Sequence, residues 1–204
     1  MKKVSIIGAT GYAGAELLRI LHNHPEAEVV HITSESHAGE AISDIYPHLK
    51  GIYDQKLMSM KDIETIGQDS DFVFIGLPHG HAMKVGKALE NMPTRIIDLG
   101  ADYRFNDTDI YEAWYKVPHT HKDAPRVYGL AELNREQIKD AKIIGNAGCY
   151  TTASILALAP LAKHHLIDVN TIVIDAKSGV SGAGRSAKQA NHFPELYDSF
   201  KAYG

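Results

Sequence analysis

Cysteine occurs once in the 204 residues, at Cys149, and that scarcity removes an internal disulfide framework from consideration. A lone free thiol agrees with a reducing compartment. Basic runs are lacking as well: 21 Lys and Arg stand against 25 Asp and Glu, for a formal net charge of -4. No Lys/Arg cluster is interleaved with aromatics, so nucleic acid is not an expected partner. No segment approaches the roughly 18 uninterrupted apolar residues of a membrane span, and the start "MKKVSIIGATGYAG" is too short and glycine-rich for a secretory signal. The expectation is a cytoplasmic chain with no membrane partner. There is no internal repeat and no low-complexity segment. What is present is an ordinary globular composition, 44% hydrophobic and 23% charged, with enough apolar material for a sizeable core.

"KVSIIGATGYAGAELLRILHNHP" opens with a β-branched run, passes through glycines and becomes apolar at helical spacing through Ala13, Leu17, Leu18 and Leu21. That order predicts strand, turn, helix. "AEVVHITS", "DFVFIGLP" and "TRIIDLGAD" read as further strands, with a helix in "GHAMKVGKALENM". Buried strands alternating with helices predict a parallel, doubly wound α/β sheet. After Gly100 an aromatic, polar stretch reads as a long excursion over the sheet. "REQIKDA" then reads as a short helix, "KIIGNAG" as a strand, "YTTASILALAPLAKHHL" as an apolar helix and "NTIVIDAKSG" as a strand of a second unit. A domain boundary is placed near Cys149. Residues 149–204, with one helix and one clear strand, are too few elements to bury a core independently.

Gly8, Gly11 and Gly14 form a GxxGxxG variant of the dinucleotide fingerprint, directly after a strand and opening a helix. Glycines there let backbone approach a pyrophosphate, and the helix start supplies oriented N–H groups. Glycine turns also occur for packing alone, but the N-terminal position in an alternating β/α pattern favours cofactor binding. At the end of the second strand, Thr33, Ser34 and Ser36 surround Glu35. Hydroxyls can donate to a 2′-phosphate whereas a carboxylate repels it, so the cofactor is read as NADP with Glu35 turned away. Pro78 and His79 of "GLPHGHA" stand at a strand's carboxyl end, where they either line the nicotinamide side of a cleft or form a plain surface turn.

Cys149 in "GNAGCYTT" stands at an expected helix start. Oriented N–H groups favour a thiolate, the reactive form of cysteine, and can hold the oxyanion of a tetrahedral intermediate. A lone cysteine is also commonly a small buried hydrophobe; the preceding Asn146 and Gly148 shift the reading towards function. "KSGVSGAGR" places Ser178, Gly179, Ser181 and Arg185 in a loop suited to an anion or, alternatively, to a flexible surface. His119, His121, His164 and His165 fit no metal-ligand spacing and carry no assignment beyond a solvated surface, so no metal is expected.

Taken together, "GATGYAGAELLRIL", "YPHL", "LPHG", "DLGADYR", "VYGLAELNR", "GNAGCYTT", "DAKSGVSGAGR" and "HFPELYDSFKAYG" resemble N-acetyl-γ-glutamyl-phosphate reductase of arginine biosynthesis, in order and along essentially the whole chain. Aspartate-semialdehyde dehydrogenase is similar in architecture but lacks "VYGLAELNR" and "SGVSGAGR" in these forms. The resemblance implies a Rossmann-type NADP-binding domain over residues 1–148, then the beginning of an α+β catalytic and dimerisation domain over 149–204. It implies reduction by NADPH of an acyl phosphate, with Cys149 displacing phosphate to give a thioester. Gly8, Thr10, Gly11, Tyr12 and Gly14 would cradle the cofactor, Ser34 and Ser36 its 2′-phosphate, and Pro78 with His79 the nicotinamide side. Ser178 and Gly179 would also reach the cofactor. Asn146, Arg104 and Glu132 would border the substrate, and Ser178, Ser181 and Arg185 would meet substrate or phosphate. A homo-oligomer is implied for the full-length family member.

Two departures from the resembled pattern matter. Ala147 and Thr151 stand where the family usually has proline, changes a turn and a helix start tolerate. In the family an acid/base histidine follows the "FKAYG"-like segment, beyond position 204, and no histidine here matches it. The expectation is therefore an incomplete catalytic domain. An inactive NADP-binding fragment and an aspartate-semialdehyde dehydrogenase-type enzyme stand as the alternatives.

Overall fold

The computed structural model describes residues 1–202. Six strands form one parallel sheet: β1 (Lys2–Ile7), β2 (Ala27–Thr33), β3 (Phe72–Ile75), β4 (Arg95–Asp98), β5 (Arg126–Gly129) and β6 (Ile143–Asn146). Their order across the sheet is β2-β1-β3-β4-β6-β5. The helical segments are α1 (Tyr12–His22), α2 (Ile42–Ile45), α3 (Ile63–Asp69), α4 (Ala82–Leu89), α5 (Thr108–Tyr115), α6 (Ala131–Asp140), α7 (Cys149–Lys163) and α8 (Phe193–Leu196). Among the described residues no helix is long and apolar enough to cross a membrane.

Strands of this composition are buried on both faces, as a doubly wound sheet requires. Ile6 packs with Leu18, Val29 and Ile32 on one side, while Ile7 packs with Val85, Leu89 and Ile96 on the other. Each such side chain stabilises the fold by about 1.5–3 kcal/mol. The first crossover runs outward to β2 and the second returns past β1 to β3, so the chain reverses direction across the sheet between β1 and β3. Ligands of open α/β sheets sit in the crevice at such a reversal, beyond the strands' carboxyl ends.

Helix α1 starts where Gly11 is extended (φ -75°, ψ 164°) and ends at Asn23, two residues before Pro25, with the Asn23 N–H donating to the Ile20 carbonyl and the His24 N–H to the Leu21 carbonyl. Its Leu18 and Leu21 are buried, one turn apart on the face towards the sheet. The aromatic excursion after Gly100 holds two elements the sequence pattern hides. The Asp107 carboxylate caps α5 by accepting the Asp109 N–H at 2.9 Å, and Lys116 ends that helix in the left-handed region at φ 57°. β5 lies at the sheet edge beside β6. Helix α6 begins at Ala131, ahead of the expected "REQIKDA", and kinks at Asn134, whose side chain donates to the Tyr128 carbonyl at 3.0 Å.

The strand expected in "NTIVIDAKSG" does not form. Residues 172–179 follow a short turn at Val169–Thr171 and are irregular, with Val173 90% exposed. A strand needs a neighbour to take its N–H and C=O groups, and none lies beside this segment among the described residues. The helix α7 before it is apolar, yet none of its residues is buried.

Candidate active site

A parallel sheet points every strand the same way, so its carboxyl ends share one edge. The loops leaving that edge carry Gly8–Gly14 after β1, Ser34 and Ser36 after β2, Pro78 and His79 after β3, and Arg104 after β4. They also carry Glu132 after β5 and Asn146 with Cys149 at and after β6. The expected site residues up to Cys149 thus derive their common location from sheet direction, and the glycines add the close approach.

The glycines serve different ends. Gly8 sits at φ +83°, and a Cβ there would lie 2.5 Å from the Gly76 carbonyl oxygen at the end of β3. A Cβ on Gly14 would lie 2.6 Å from Ala9 Cα. Both are fixed by the chain's own packing. At Gly11 the nearest atom would be the Gly8 oxygen at 3.5 Å, ordinary contact, so the protein itself has room for a side chain. Gly11 caps α1 without a side-chain hydrogen bond, which leaves the first-turn N–H groups for a ligand.

Next to this loop the Thr10 and Ser34 hydroxyls are 3.0 Å apart and those of Ser34 and Ser36 are 3.4 Å apart. The Glu35 carboxylate points elsewhere: its Oε1 accepts the Met60 N–H at 2.5 Å and the Ser59 hydroxyl at 3.3 Å. The Thr10 carbonyl accepts both the Tyr46 hydroxyl, at 2.9 Å, and Arg185 Nη1, at 3.0 Å. The Arg185 guanidinium also covers the Tyr46 ring at 5.0 Å. Arg185 therefore lies at the glycine loop and the hydroxyl cluster. Tyr12 is exposed at the start of α1.

At the β6 edge, Cys149 is an exposed free thiol and the first residue of α7, behind an extended Gly148 cap that offers no side chain. The Thr152 N–H and the Thr151 hydroxyl both donate to the Gly148 carbonyl, at 2.8 and 2.9 Å. Arg104 grips the same turn from below: its Nε donates to the Asn146 carbonyl at 2.8 Å and its Nη2 to the Leu99 carbonyl at 3.2 Å. Glu132 is exposed in the first turn of α6, beyond Gly129, which pairs with Asn146. Burial pushes the Asp98 carboxyl up to about 6, against the Gly100 N–H that donates to it at 2.9 Å. Tyr150, after the thiol, lines an open cavity of about 970 Å³ together with Ser178 and Gly179. Ser181 is exposed on the same loop.

Beneath the Pro78–Ala82 turn lies a buried polar assembly that the sequence reading missed. Asp102 accepts from the Gly80 and Ala82 N–H groups and from the Tyr111 hydroxyl. His119 and His121 are 3% and 7% exposed, not surface groups. His119 Nδ1 accepts the His121 N–H at 3.2 Å, and its Nε2 lies 2.8 Å from the Asp102 carbonyl and 3.0 Å from Arg126 Nη1. Burial lowers the His119 imidazole below its ordinary value. The available signal was the density of Tyr, His and Asp in one stretch, too polar for a plain core and too aromatic for a plain loop. His164 and His165 are exposed.

Residues 3–141 match the semialdehyde dehydrogenase NAD binding domain, and residues 149–204 match the semialdehyde dehydrogenase dimerisation domain. The chain belongs to the semialdehyde dehydrogenase family. Within it, the chain is 52% identical over 203 residues to the N-acetyl-gamma-glutamyl-phosphate reductase of Pelotomaculum thermopropionicum, covering 98% of this chain and 58% of that protein. It is 48% identical to the reductase of the same name from Desulforamulus reducens and 50% identical to that from Geobacter sulfurreducens, in each case covering 100% of this chain and 59% of the relative. The chain thus spans less than two thirds of the length of these curated relatives. Among solved structures, aspartate semialdehyde dehydrogenase with NADP from Candida albicans superimposes with a TM-score of 0.58 at 22% identity, over 80% of this chain and 47% of that one. Aspartate semialdehyde dehydrogenase II complexed with ASA from Vibrio cholerae gives 0.57 at 18% identity, over 80% of this chain and 47% of that one. These two likenesses show the α/β fold alone.

Proposed function

We propose that this chain carries the cofactor site and the nucleophile of an NADPH-dependent reductase that converts N-acetyl-γ-glutamyl phosphate to N-acetyl-glutamate 5-semialdehyde and phosphate. The observation that carries the reading is the position of Cys149: an exposed thiol opening a 15-residue helix, on the same sheet edge as the glycine loop. Identity near 50% to reductases of that name along the whole chain supports the substrate.

The residues present fit NADPH. Gly11 leaves open space beside uncapped N–H groups, which suits a pyrophosphate. The Thr10, Ser34 and Ser36 hydroxyls, with the Glu35 carboxylate held away, suit a 2′-phosphate, and Arg185 adds a positive charge beside them. Pro78 and His79 would face the nicotinamide, and Ser178 with Gly179 would approach from the second unit. When bound, NADPH supplies the hydride that takes the acyl group to the aldehyde level.

In this reading the Cys149 thiolate attacks the carbonyl carbon of the acyl phosphate, the C–O bond to phosphate breaks, and a thioester remains on sulfur. The first-turn N–H groups of α7 are placed to hold the carbonyl oxygen as it takes negative charge. Arg104 fixes the turn that presents the thiol, and Asn146, Glu132 and Ser181 would border the acyl chain. The test is incubation of the chain with N-acetyl-γ-glutamyl phosphate. The expected result is one equivalent of phosphate released and an N-acetylglutamyl adduct on Cys149 in the intact mass. Release no faster than from Cys149→Ala overturns the proposal.

A second reading is a unit that binds NADPH without turnover, favoured by the exposure of Ser178, Ser181 and Val173. Binding of NADPH without acyl transfer would select it. An aspartate-semialdehyde dehydrogenase-type activity draws on the solved neighbours alone, and comparing the two acyl phosphates decides it. A homo-oligomer fits the exposed Val173, Phe193 and Phe200 in the part matched to a dimerisation domain. A cytoplasmic location fits a soluble biosynthetic reaction.

A further inference from the structure

We infer that Asp102 is a positioning residue for the cofactor: from inside the protein it sets where the Pro78–Ala82 turn stands at the nicotinamide side of the cleft. The inference rests on the NADPH reading above. The turn leaves β3 and must enter α4 through Gly80 at φ +87°, a conformation L side chains rarely adopt. Three of the turn's attachments lead to one carboxyl group. Gly80 N–H reaches Asp102 Oδ1 at 2.8 Å and Oδ2 at 3.0 Å, and Ala82 N–H reaches Oδ2 at 3.0 Å.

Asp102 is 1% exposed, and burying such a group is unfavourable unless hydrogen bonds replace its water. The replacements are those two N–H groups and the Tyr111 hydroxyl at 2.8 Å. An apolar side chain could fill the same space without that desolvation, so filling space does not account for Asp102; holding the turn's N–H groups does. The outer side of the turn is tied to the same assembly. Pro78 and His79 are exposed, and the His79 ring lies 4.9 Å from Tyr115, which stacks at 5.0 Å on Tyr111. Backbone and side chain of the turn are therefore referred to one buried point, Asp102 with its partner Tyr111. The hydroxyl cluster after β2 has no part in these contacts.

The experiment is a pair of titrations on the whole chain and its Asp102→Asn and Tyr111→Phe variants, one with NADPH and one with adenosine 2′,5′-bisphosphate, which lacks the nicotinamide half. The amide of the Asp102→Asn variant would turn a donor towards the turn's N–H groups, so NADPH is expected to bind about tenfold more weakly to it. Tyr111→Phe removes one donor to Asp102 and is expected to weaken NADPH about threefold. The bisphosphate should bind both variants within about twofold of the unaltered chain. Equal losses for the two ligands, or no loss for NADPH, overturn the inference. If Asp102→Asn does not fold, Tyr111→Phe alone decides by the same comparison. If the unaltered chain fails to bind NADPH, the functional reading itself falls, which separates the two failures.

Discussion

Arg104 and Asn146 are joined across the sheet edge: the guanidinium Nε donates to the Asn146 carbonyl at 2.8 Å, three residues before the thiol of Cys149. The same guanidinium reaches back to the Leu99 carbonyl at 3.2 Å, so it ties the loop after β4 to the turn after β6. A Cβ added at Gly148 would come within 3.1 Å of Arg104 Nη1, which leaves the turn little freedom to shift.

Arg104→Lys keeps the charge and loses the planar fork. The expected outcome is acylation of Cys149 slowed about tenfold and a stability loss of about 1–2 kcal/mol for the two carbonyl contacts. Phosphate-release kinetics and urea unfolding measure the two effects; unchanged acylation would remove Arg104 from the positioning of the thiol.

Gly8 and Gly11 should separate cleanly. Gly8→Ala forces a side chain into the Gly76 carbonyl at φ +83° and is expected to destabilise the fold by about 2–4 kcal/mol. Gly11→Ala has room in the protein and should lower stability by no more than about 1 kcal/mol, the difference between glycine and alanine at a helix cap. Its methyl stands where the pyrophosphate is proposed to lie, so NADPH affinity should fall by about tenfold or more. A larger loss of stability in Gly11→Ala with NADPH binding intact would contradict this division.

Asp98 gives a pH dependence with a definite sign. Its carboxyl is raised from 3.8 to about 6 by burial, so the folded state favours the protonated form. Its contribution is fully present below about pH 4 and is lost as pH rises through about 6. Asp98→Asn removes this dependence. Its stability relative to the unaltered chain should therefore rise by roughly 2 kcal/mol between pH 4 and pH 7, whatever constant offset the amide introduces. Parallel denaturation curves at all pH values would show that Asp98 does not titrate in this range.

Arg126 anchors the loop before β5 through carbonyls: Nε to Ala124 at 2.8 Å, and Nη2 to His121 at 2.9 Å and Lys122 at 2.6 Å. It also covers the Tyr103 ring at 5.4 Å. Lysine cannot reproduce this fork, so Arg126→Lys is expected to lower stability by about 2–3 kcal/mol, read from the denaturation midpoint. A loss under about 0.5 kcal/mol would mean the carbonyls find other donors.

The strand–glycine–helix opening was legible because its information is local: a β-branched run, glycines and a leucine face follow one another within Lys2–His22. Strands β2, β3, β4 and β6 were legible for the same reason. β5 was not, since four residues, RVYG, at a sheet edge are mostly half-buried and carry no alternation. "NTIVID" failed in the opposite direction: its composition is that of a strand, but pairing is supplied by a neighbour, and among the described residues no neighbour stands beside Ile172–Asp175. The aromatic excursion concealed its role because His119 and His121 are enclosed by Asp102 and Tyr103, and Thr120 between them by Met83 of α4, partners that lie 17 to 37 residues back in the chain.

By itself the sequence determined the α/β alternation, the glycine loop with its hydroxyl neighbours, and a cysteine at a helix start, because propensity, periodicity and turn chemistry act over a few residues. Only the tertiary structure decided that Gly8 meets Gly76, that Arg104 holds the turn of Cys149, and that Asp102 lies buried under the Pro78–Ala82 turn. Those relationships arise from strand order and from loops brought together across the sheet, and packing of residues far apart in the chain is not written in any local pattern.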